Sequence, residues 1–426
     1  MKRNVLVFPC GSEIGLEVYK SVKDSIHFNL IGGSSVGDHG EFIFENYIGD
    51  VPMIDDPDFM EKLNDVIREN DIHFVFPAHD SVVLKLAQEE AAGNLACKAI
   101  TSPVETCEVA RSKKKTYEVL DGIIPTPKVY DIDNLTEADL PVFLKPDVGQ
   151  GSKGTYKAKT MEDVRFYASK DSSLLALEYL PGKEYTVDCY TNGDGELLMS
   201  EGRQRTRIAN GISVRSEVVE DPRFSELAKA INQKLAFWGA WFFQVKEADS
   251  GELVLMEIAP RIAGTMGLER ARGVNLPLLN LFEAIGVKIS ITKNDYAVVI
   301  DRALENRYKH NVKYKHVYID FDDLLVTEGI VYPEAMAFVY QCINKGVTLH
   351  LITRHRDDLH ANLKKYRLEG VFDEIIWVKE GEEKHTYIKE KDAIFIDDSF
   401  AERKKVQDAC GIPTFDNHML EVLREY

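Results

Sequence analysis

This sequence has few positive charges relative to its negative ones, and it has no closely paired cysteines. Lys and Arg number 52 against 70 Asp and Glu, so the formal net charge is −18. A field of that sign repels phosphate backbones and anionic lipid, which argues against nucleic acid or a membrane as the main partner. None of the six cysteines lies in a C-x-x-C pair, which argues against a disulfide scaffold or a zinc site and favours reduced thiols in a cytoplasmic protein. Long apolar runs are also missing, because no segment approaches the ~20 residues that span a bilayer.

The pattern of strands and helices changes twice along the 426 residues. At first, short apolar strands alternate with amphipathic helices, which is typical of a parallel sheet with crossover helices. Glycine-bearing turns then separate strand-like runs in a mainly antiparallel α+β pattern, and a polar, charged stretch precedes a second α/β alternation. We therefore predict an α/β and α+β multidomain protein with domains at 1–110, 111–295 and 314–426 and a linker at 296–313.

The most informative single motif is a strand that ends in lysine and leads into a glycine-rich loop. It places Lys145 four residues ahead of Gly149, in a turn that also contains Gly151, Ser152 and Gly154. Glycines let backbone N–H groups turn toward a phosphate, and the lysine supplies a positive charge for its oxygens. The GK[ST] arrangement of a Walker A loop is absent. Taken alone, the motif also fits a surface hairpin that carries a lysine.

About thirty residues further on, a strand breaks into Pro-Gly. The end of that strand, Glu178-Tyr179-Leu180, offers the adjacent backbone carbonyl and N–H groups that an adenine needs. Glu184 offers a carboxylate that accepts from two ribose hydroxyls. The competing interpretation is an ordinary β-turn with a solvated glutamate.

Two later strand-like runs carry oxygen ligands and a cation. Neighbouring strands would bring Gln244 and Glu257 side by side, and oxygen ligands of this kind suit Mg²⁺ that bridges phosphates. Arg261 follows at the end of the second run, where it would steady a transferring phosphoryl group. An isolated Glu-x-x-x-Arg also fits a surface ion pair.

In this order and at this spacing, the motifs between Lys113 and Gly273 resemble the ATP-grasp superfamily, and the opening Val-Leu-Val-Phe-Pro-Cys-Gly resembles the preATP-grasp domain of its carbamoyl phosphate synthetase and carboxylate–amine ligase branch. The resemblance implies a ligase that uses ATP and Mg²⁺ or Mn²⁺ to convert a small carboxylate into an acyl phosphate, which an amine-type acceptor then attacks. It leaves self-association open. The residues to which it assigns nucleotide or metal binding are Lys113, Lys145, Gly151, Ser152, Glu178, Tyr179, Leu180, Glu184, Gln244 and Glu257, with Arg261 in catalysis.

One position departs from the family pattern. Ala259 stands where the family's E-x-N-P-R signature has an asparagine that helps to hold a second magnesium ion. Alanine has no ligand atom, so the resemblance leaves Glu257, phosphate and water for that metal.

Three arginines alternate at positions 203, 205 and 207. Alternate residues of a strand point to one side. Arg203, Arg205 and Arg207 therefore fit either a clamp for a carboxylate or phosphate of the acceptor or a charged, solvated face.

The third segment carries clustered carboxylates at strand ends. Asp320 and Asp322 follow one strand, Thr353 ends a second, and Asp397 and Asp398 follow a third. In a parallel sheet these ends share one edge, where ligands bind. Because clustered carboxylates repel each other without a cation, a magnesium site is predicted there.

Residues 314–426 resemble a haloacid dehalogenase-like domain without a cap. The resemblance makes Asp320 the nucleophile, Asp322 the acid/base and Thr353 a phosphate contact, with Asp320, Asp322, Asp397 and Asp398 assigned to the metal. The motif lysine is Lys384, or else Lys389. The usual D-x-D-G-T has Asp323 and Leu324 in place of Gly and Thr. Two interpretations therefore remain: a second, phosphohydrolase-type catalyst, or an inactive module for binding or oligomerisation.

Overall fold

The computed structural model describes residues 2–149, 151–209 and 211–425. The chain divides into two compact units, Met1–Leu304 and Glu305–Tyr426. Within the described residues, no helix is long and apolar enough to cross a membrane.

The first unit begins with a parallel sheet in the strand order β3-β2-β1-β4-β5. The central strand is apolar on both faces, as expected of a strand that helices cover on both sides. This confirms the predicted α/β character of the opening segment. Its elements are β1 (Arg3–Phe8), α1 (Glu13–Val22), β2 (Phe28–Gly33), β3 (Asn46–Ile48), α2 (Phe59–Glu69), β4 (Ile72–Pro77), α3 (Asp80–Ala91) and β5 (Lys98–Ala99).

Two helices then lead into a small antiparallel sheet with the order β6-β9-β7-β8. Ser112 caps the second of these helices through its hydroxyl, which accepts from the Lys115 N–H. The elements are α4 (Val104–Arg111), α5 (Lys113–Leu120), β6 (Val129–Tyr130), β7 (Val142–Pro146), β8 (Tyr156–Ala158), α6 (Met161–Lys170) and β9 (Leu174–Glu178).

A larger antiparallel sheet completes the unit, in the order β14-β13-β10-β11-β12-β15. One face of its strands is apolar and packs against the helix that follows the long hairpin, as Val187, Phe243 and Leu255 show by being fully buried together. Side chains alternate along a strand, and the opposite face carries the polar Thr186 and Gln244 beside the apolar Tyr190 and Phe242. The elements are β10 (Glu184–Thr191), β11 (Leu197–Ala209), β12 (Ile212–Val219), α7 (Pro222–Lys234), β13 (Gly239–Glu247), β14 (Leu253–Ala259), α8 (Gly267–Ala271), α9 (Leu276–Ala284) and β15 (Val299–Asp301).

The stretch that the sequence suggests is a linker, 296–313, contains the last of these strands. β15 pairs antiparallel with β12, with Ile300 opposite Ser216. Arg302 extends the attachment by an ion pair to Glu13, 3.0 Å away. The first part of this stretch is therefore held to the first unit, which ends at Leu304.

The second unit has a parallel sheet in the order β20-β19-β16-β21-β22, with helices packed on it. Val317, Ile319, Leu351 and Ile394 form its fully buried centre. The elements are β16 (His316–Ile319), β17 (Val326–Thr327), β18 (Ile330–Val331), α10 (Pro333–Asn344), β19 (Thr348–Thr353), α11 (Leu359–Lys365), β20 (Glu374–Trp377), β21 (Ala393–Ile396), α12 (Phe400–Cys410), β22 (Thr414–Phe415) and α13 (Leu420–Leu423).

Candidate active sites

The polar face of the large sheet carries a row of residues that lie opposite one another on four strands. Arg203 of β11 pairs with Thr186 of β10, which pairs with Gln244 of β13, which pairs with Glu257 of β14. Directly opposite residues of antiparallel strands share a face. The structure thus places Gln244 and Glu257 side by side, in the arrangement that the sequence suggests.

Lys145 reaches this row from the small sheet. Its side chain is only 4% exposed, and its ammonium group donates to the Met256 carbonyl at 3.0 Å. The Tyr117 hydroxyl donates to the same carbonyl at 2.8 Å, and the lysine nitrogen lies 5.6 Å from the centre of the Tyr117 ring. Burial lowers the pKa of Lys145 to about 7, although the nearby Glu257 opposes the shift. An anionic ligand in the cleft would oppose this shift and favour the charged form of the lysine.

Lys113 and the glycine-rich loop form the next wall of the same cleft. The Lys113 ammonium group donates to the carbonyls of Asp147 at 3.2 Å and of Gly149 at 3.4 Å. Gly151 and Ser152 have left-handed backbones, with φ of 60° and 54°, and both line the cleft. The cleft has a volume of ≈ 690 Å³ and is also lined by Lys145, Glu184, Gln244 and Glu257.

A smaller, more apolar pocket of ≈ 320 Å³ lies at the end of β9. Phe143, Leu180 and Met256 line it together with Glu178 and Tyr179. A flat, apolar slot beside a strand end that stops pairing is a suitable place for a planar base. The structure thus places the three residues predicted for the adenine around one pocket.

Glu184 lies at the start of β10, where Arg205 binds it. One Arg205 nitrogen donates to the Glu184 carboxylate, and the same nitrogen donates to Gln244 Oε1 at 2.9 Å. The predicted ribose carboxylate and the predicted metal ligand therefore share one arginine. Ligand binding at either residue must compete with, or rearrange around, this guanidinium.

Arg261 makes a two-pronged ion pair with a residue that sequence reasoning did not single out. Its Nε and Nη2 donate to the two Asp80 oxygens at 2.6 and 2.8 Å. Burial by itself raises the pKa of Asp80, but the Arg261 guanidinium outweighs it and the pKa is lowered. Asp80 is the first residue of α3, where a carboxylate is favoured by the helix dipole. The His79-Asp80-Ser81 sequence before an apolar run signals the start of a helix, but nothing local signals the ion pair with Arg261.

The metal assignment in this cleft rests on oxygen donors. Glu257 and Gln244 offer a carboxylate and an amide oxygen at paired positions, which fits Mg²⁺ that also keeps water and phosphate ligands. Ala259 lies at the end of the same strand and offers no donor. The residues present therefore fit one metal ion better than two.

The three alternating arginines do not form a common clamp. Arg203 is buried and donates to Asp188 at 2.6 Å and to Thr265 at 2.5 Å. Arg207 is exposed and pairs with Asp301. The pairing register shifts between Arg205 and Arg207, which breaks the alternation that the sequence suggests. The expectation of three arginines on one side is therefore wrong.

The second unit brings four predicted residues together at the carboxyl ends of β16, β19 and β21. Lys384 lies 2.9 Å from Asp320 and 2.7 Å from Asp397, and all three are buried. The Thr353 hydroxyl is buried beside them and has no hydrogen-bond partner among the described residues. Burial raises the pKa of Asp320, with Lys384 opposing and Asp397 reinforcing the shift.

Asp398 joins this cluster, but Asp322 does not. Oxygens of Asp320, Asp397 and Asp398 lie within 4.8 Å of one another, close enough to share a cation. Both Asp322 oxygens instead lie 2.9 Å from Nδ1 of His355, a residue that sequence reasoning missed. The assignment of Asp322 to the metal is thus not reproduced, because the side chain turns toward His355.

Comparisons with known proteins point to one superfamily for the first unit. Residues 170–305 match the family model described as ATP-grasp in the biosynthetic pathway with Ter operon. The large chain of carbamoyl phosphate synthase from Clostridium botulinum (strain Alaska E43 / Type E3) is 25% identical over 264 residues, covering 57% of this chain and 24% of that protein. D-alanine–D-alanine ligase from Francisella philomiragia is 33% identical over 106 residues, covering 23% of this chain and 36% of that protein. The chain thus spans about a quarter to a third of these curated relatives.

Solved structures agree on the fold. The biotin carboxylase domain of Hydrogenobacter thermophilus 2-oxoglutarate carboxylase, solved with MgADP and bicarbonate, gives a TM-score of 0.58 at 17% identity over 70% of this chain and 74% of that one. Carboxyaminoimidazole ribonucleotide synthase from Aspergillus clavatus, solved with ATP, gives a TM-score of 0.57 at 16% identity over 70% of this chain and 81% of that one. L-amino acid ligase from Bacillus licheniformis gives a TM-score of 0.54 at 15% identity over 67% of this chain and 74% of that one. The solved structures therefore confirm the fold that the resemblance to ATP-grasp ligases predicts.

Proposed function

We propose that this protein, whose first unit has the ATP-grasp fold, is an ATP-dependent ligase that activates a carboxylate as an acyl phosphate for attack by an amine-type nucleophile. The observation that carries the proposal is the convergence of Lys113, Lys145, Gln244 and Glu257 on one cleft beside the glycine-rich loop. Two lysines, two oxygen ligands and a glycine-rich loop are the set that a nucleoside triphosphate with its cation requires.

The arrangement divides the work between binding and charge stabilisation. The apolar pocket at Leu180 takes the base, and the cleft at Lys145 takes the phosphates. Mg²⁺ held by Gln244 and Glu257 would neutralise charge on the phosphates when bound. Arg261, kept in place by Asp80, lines an adjoining pocket of ≈ 600 Å³ that shares Lys113 and Glu257 with the cleft, and the acyl phosphate would form there. Because the chemistry belongs to ATP and the carboxylate, the protein contributes mainly position and electrostatics.

For the two molecules that are joined, the carboxylate and the amine-type acceptor, only the chemical class is proposed. One relative and one similar structure carry names of ligases for amino acids, and an amino acid joined to an amine fits the proposed reaction. A screen of amino acids against amine acceptors, followed by phosphate release and by mass spectrometry, identifies the pair through a product of the summed mass less water.

Lys145→Met tests the nucleotide site. We expect ATP turnover with a productive acceptor pair to fall by 10²-fold or more, because a buried cation facing the phosphates is lost. Lys114→Met is the matched control, since Lys114 is the exposed neighbour of Lys113 and should leave turnover unchanged. Wild-type turnover in Lys145→Met would contradict the assignment.

For the second unit we propose a Mg²⁺-dependent phosphohydrolase of the haloacid dehalogenase type. Support comes from the buried Lys384 between Asp320 and Asp397, and from the unpartnered Thr353 hydroxyl beside them. Asp320 would attack the phosphorus of a phosphate monoester that Thr353 and Lys384 hold, and Asp322 would protonate the ester oxygen so that it leaves as an alcohol. Water would then hydrolyse the aspartyl phosphate, and Mg²⁺ held by Asp320, Asp397 and Asp398 would offset the charge of the phosphate when bound. Asp322, bound to His355, remains the proposed acid/base.

Asp320→Asn separates this proposal from its alternative. We expect the variant to lose hydrolysis of a small aryl phosphate in the presence of Mg²⁺ while it keeps the ATP turnover of the first unit. The alternative is a binding or oligomerisation module, which the sequence favours at Asp323 and Leu324, where the usual Gly and Thr are missing. It predicts no hydrolysis by the wild-type protein either.

A further inference from the structure

The second unit carries a cluster of nitrogen and oxygen donors at the edge of the sheet opposite the carboxylates. His316 opens β16, and His350 lies in the middle of β19. Nδ1 of His316 lies 3.1 Å from Nε2 of His350. A carboxylate oxygen of Glu390, which precedes β21, lies within 4.8 Å of one ring nitrogen of each histidine.

The protonation of His350 follows from its neighbour. Nδ1 of His350 lies 2.7 Å from a Glu374 carboxylate oxygen, which can only accept a hydrogen bond. The proton of a neutral His350 is therefore on Nδ1, and Nε2 presents a lone pair toward His316. A histidine that donates its other N–H to a carboxylate is the usual arrangement of a metal ligand.

The cluster is also held in place. His350 is 6% exposed and stacks on the Tyr318 ring at 4.3 Å, with the two planes 9° apart. The Tyr318 hydroxyl donates to the Glu390 carboxylate. Ligands that come from two strands and a loop are thus fixed before any ion binds, which reduces the entropy that binding costs.

We infer that His316, His350 and Glu390 bind a borderline divalent transition metal ion such as Zn²⁺, separate from the oxygen-ligated Mg²⁺ sites proposed above. Two nitrogens bound to one tetrahedral Zn²⁺ at about 2.0–2.1 Å would lie roughly 3.4 Å apart, close to the 3.1 Å observed. Two imidazoles with one carboxylate favour Zn²⁺ over Mg²⁺, which prefers oxygen donors. Water would complete the coordination.

Metal analysis of the full-length protein tests this inference. The protein is stripped with a chelator and dialysed against ZnCl₂ in a large excess of MgCl₂, so that Mg²⁺ occupies the oxygen sites. We expect one Zn²⁺ per chain in the wild type and in Asp398→Asn, which alters the carboxylate cluster. His316→Gln and His350→Gln should lose that Zn²⁺, and Glu374→Gln should bind it about 10- to 100-fold more weakly.

His360→Gln is the matched control, because His360 is an exposed histidine of the same unit. Co²⁺ gives a second readout, since the visible absorption of nitrogen-bound Co²⁺ should vanish in the same variants. If His350→Gln does not fold, His316→Gln decides, because His316 is less buried. Full Zn²⁺ occupancy in His316→Gln, or none in the wild type, would overturn the inference and leave a plain hydrogen bond between two histidines.

Discussion

Asp80 shows how one residue can set the geometry of another far away in sequence. It lies 181 residues before Arg261 and binds it through both oxygens. Asp80→Asn keeps the shape but removes the charge that fixes the guanidinium fork. We expect kcat of the ligase reaction to fall about tenfold or more while the KM for ATP changes little, because Arg261 would act on the forming acyl phosphate. Steady-state kinetics with the acceptor pair from the screen measures both.

The control for this variant is Asp65→Asn. Asp65 also pairs with an arginine, Arg68, but both side chains are exposed, at 57% and 64%. Surface pairs of this kind contribute little, so neither kcat nor stability should change measurably. Equal kcat in Asp80→Asn and the wild type would show that Arg261 needs no help from Asp80.

Glu269 gives the first unit a pH-dependent stability. It is fully buried beside Arg272, and burial, reinforced by Asp188, raises its pKa to about 7 from an ordinary 4.5. Above pH 4.5 the unfolded chain loses this proton while the folded chain keeps it. The stabilisation is therefore complete below about pH 4.5 and is lost as the pH rises through about 7.

Glu269→Gln should remove part of that dependence. A glutamine keeps the hydrogen-bonding shape and does not ionise, so the variant should lose less stability than the wild type between pH 5 and pH 8, by on the order of 1–3 kcal/mol. Urea unfolding of both proteins at the two pH values measures the difference. Parallel pH profiles for the two proteins would contradict the raised pKa. Glu252→Gln, at an exposed turn, is the control.

At the scale of elements, the turn between β11 and β12 touches the glycine-rich loop of the nucleotide cleft. A Cβ at Gly211 would lie 2.0 Å from the Gly151 carbonyl oxygen and 2.8 Å from Cβ of Ser152. Gly211→Ala must therefore displace the loop, because the nearest atoms belong to the loop backbone and cannot rotate away as a flexible side chain would. We expect the KM for ATP to rise about tenfold or more.

Gly195→Ala is the matched control for this prediction. Gly195 has the same left-handed backbone, φ 81° against 76°, but nothing lies within 4 Å of its added Cβ. Both variants should lose a similar 1–2 kcal/mol to backbone strain. Only Gly211→Ala should weaken ATP binding, measured by calorimetry, and equal affinities would show that this contact does not shape the loop.

The elements that the sequence predicts well are those with a clear local signal. The strands His316–Ile319 and Ala393–Ile396 and the helix Phe59–Glu69 belong to the α/β alternations that the sequence predicts. α9 was missed because Leu276–Ala284 is apolar on nearly every side, so no helical period shows. The bulge at Arg205 was missed because it depends on the pairing with β12.

The residues of the candidate sites also divide into those with a local sequence signal and those without one. Lys145 and Glu257 can be predicted because each stands in a local motif at a strand end. The contact of Asp80 with Arg261 and that of Arg205 with Glu184 could not be predicted, because each joins segments that are distant in sequence. His355 belongs to this second group, since only the fold brings it to Asp322.

At the scale of the whole molecule, the two units have separate cores. Within the described residues, each buried apolar cluster draws on one unit, as the clusters around Val187 and Ile319 illustrate. A chain with independent cores is expected to unfold in more than one step. We therefore predict two thermal transitions for the full-length protein.

Cutting the chain between Leu304 and Glu305 assigns these transitions and the two proposed activities. Because each fragment is one of the two compact units, each should unfold close to one of the two transitions seen in the intact chain. The fragment 1–304 should retain acceptor-dependent ATP turnover, since every residue of the nucleotide cleft lies within it. The fragment 305–426 should retain Mg²⁺-dependent phosphatase activity if the second unit is a catalyst and none if it is a module. Calorimetry and the two assays on separate fragments measure this, and loss of ATP turnover in a folded 1–304 would show that the ligase reaction needs the second unit.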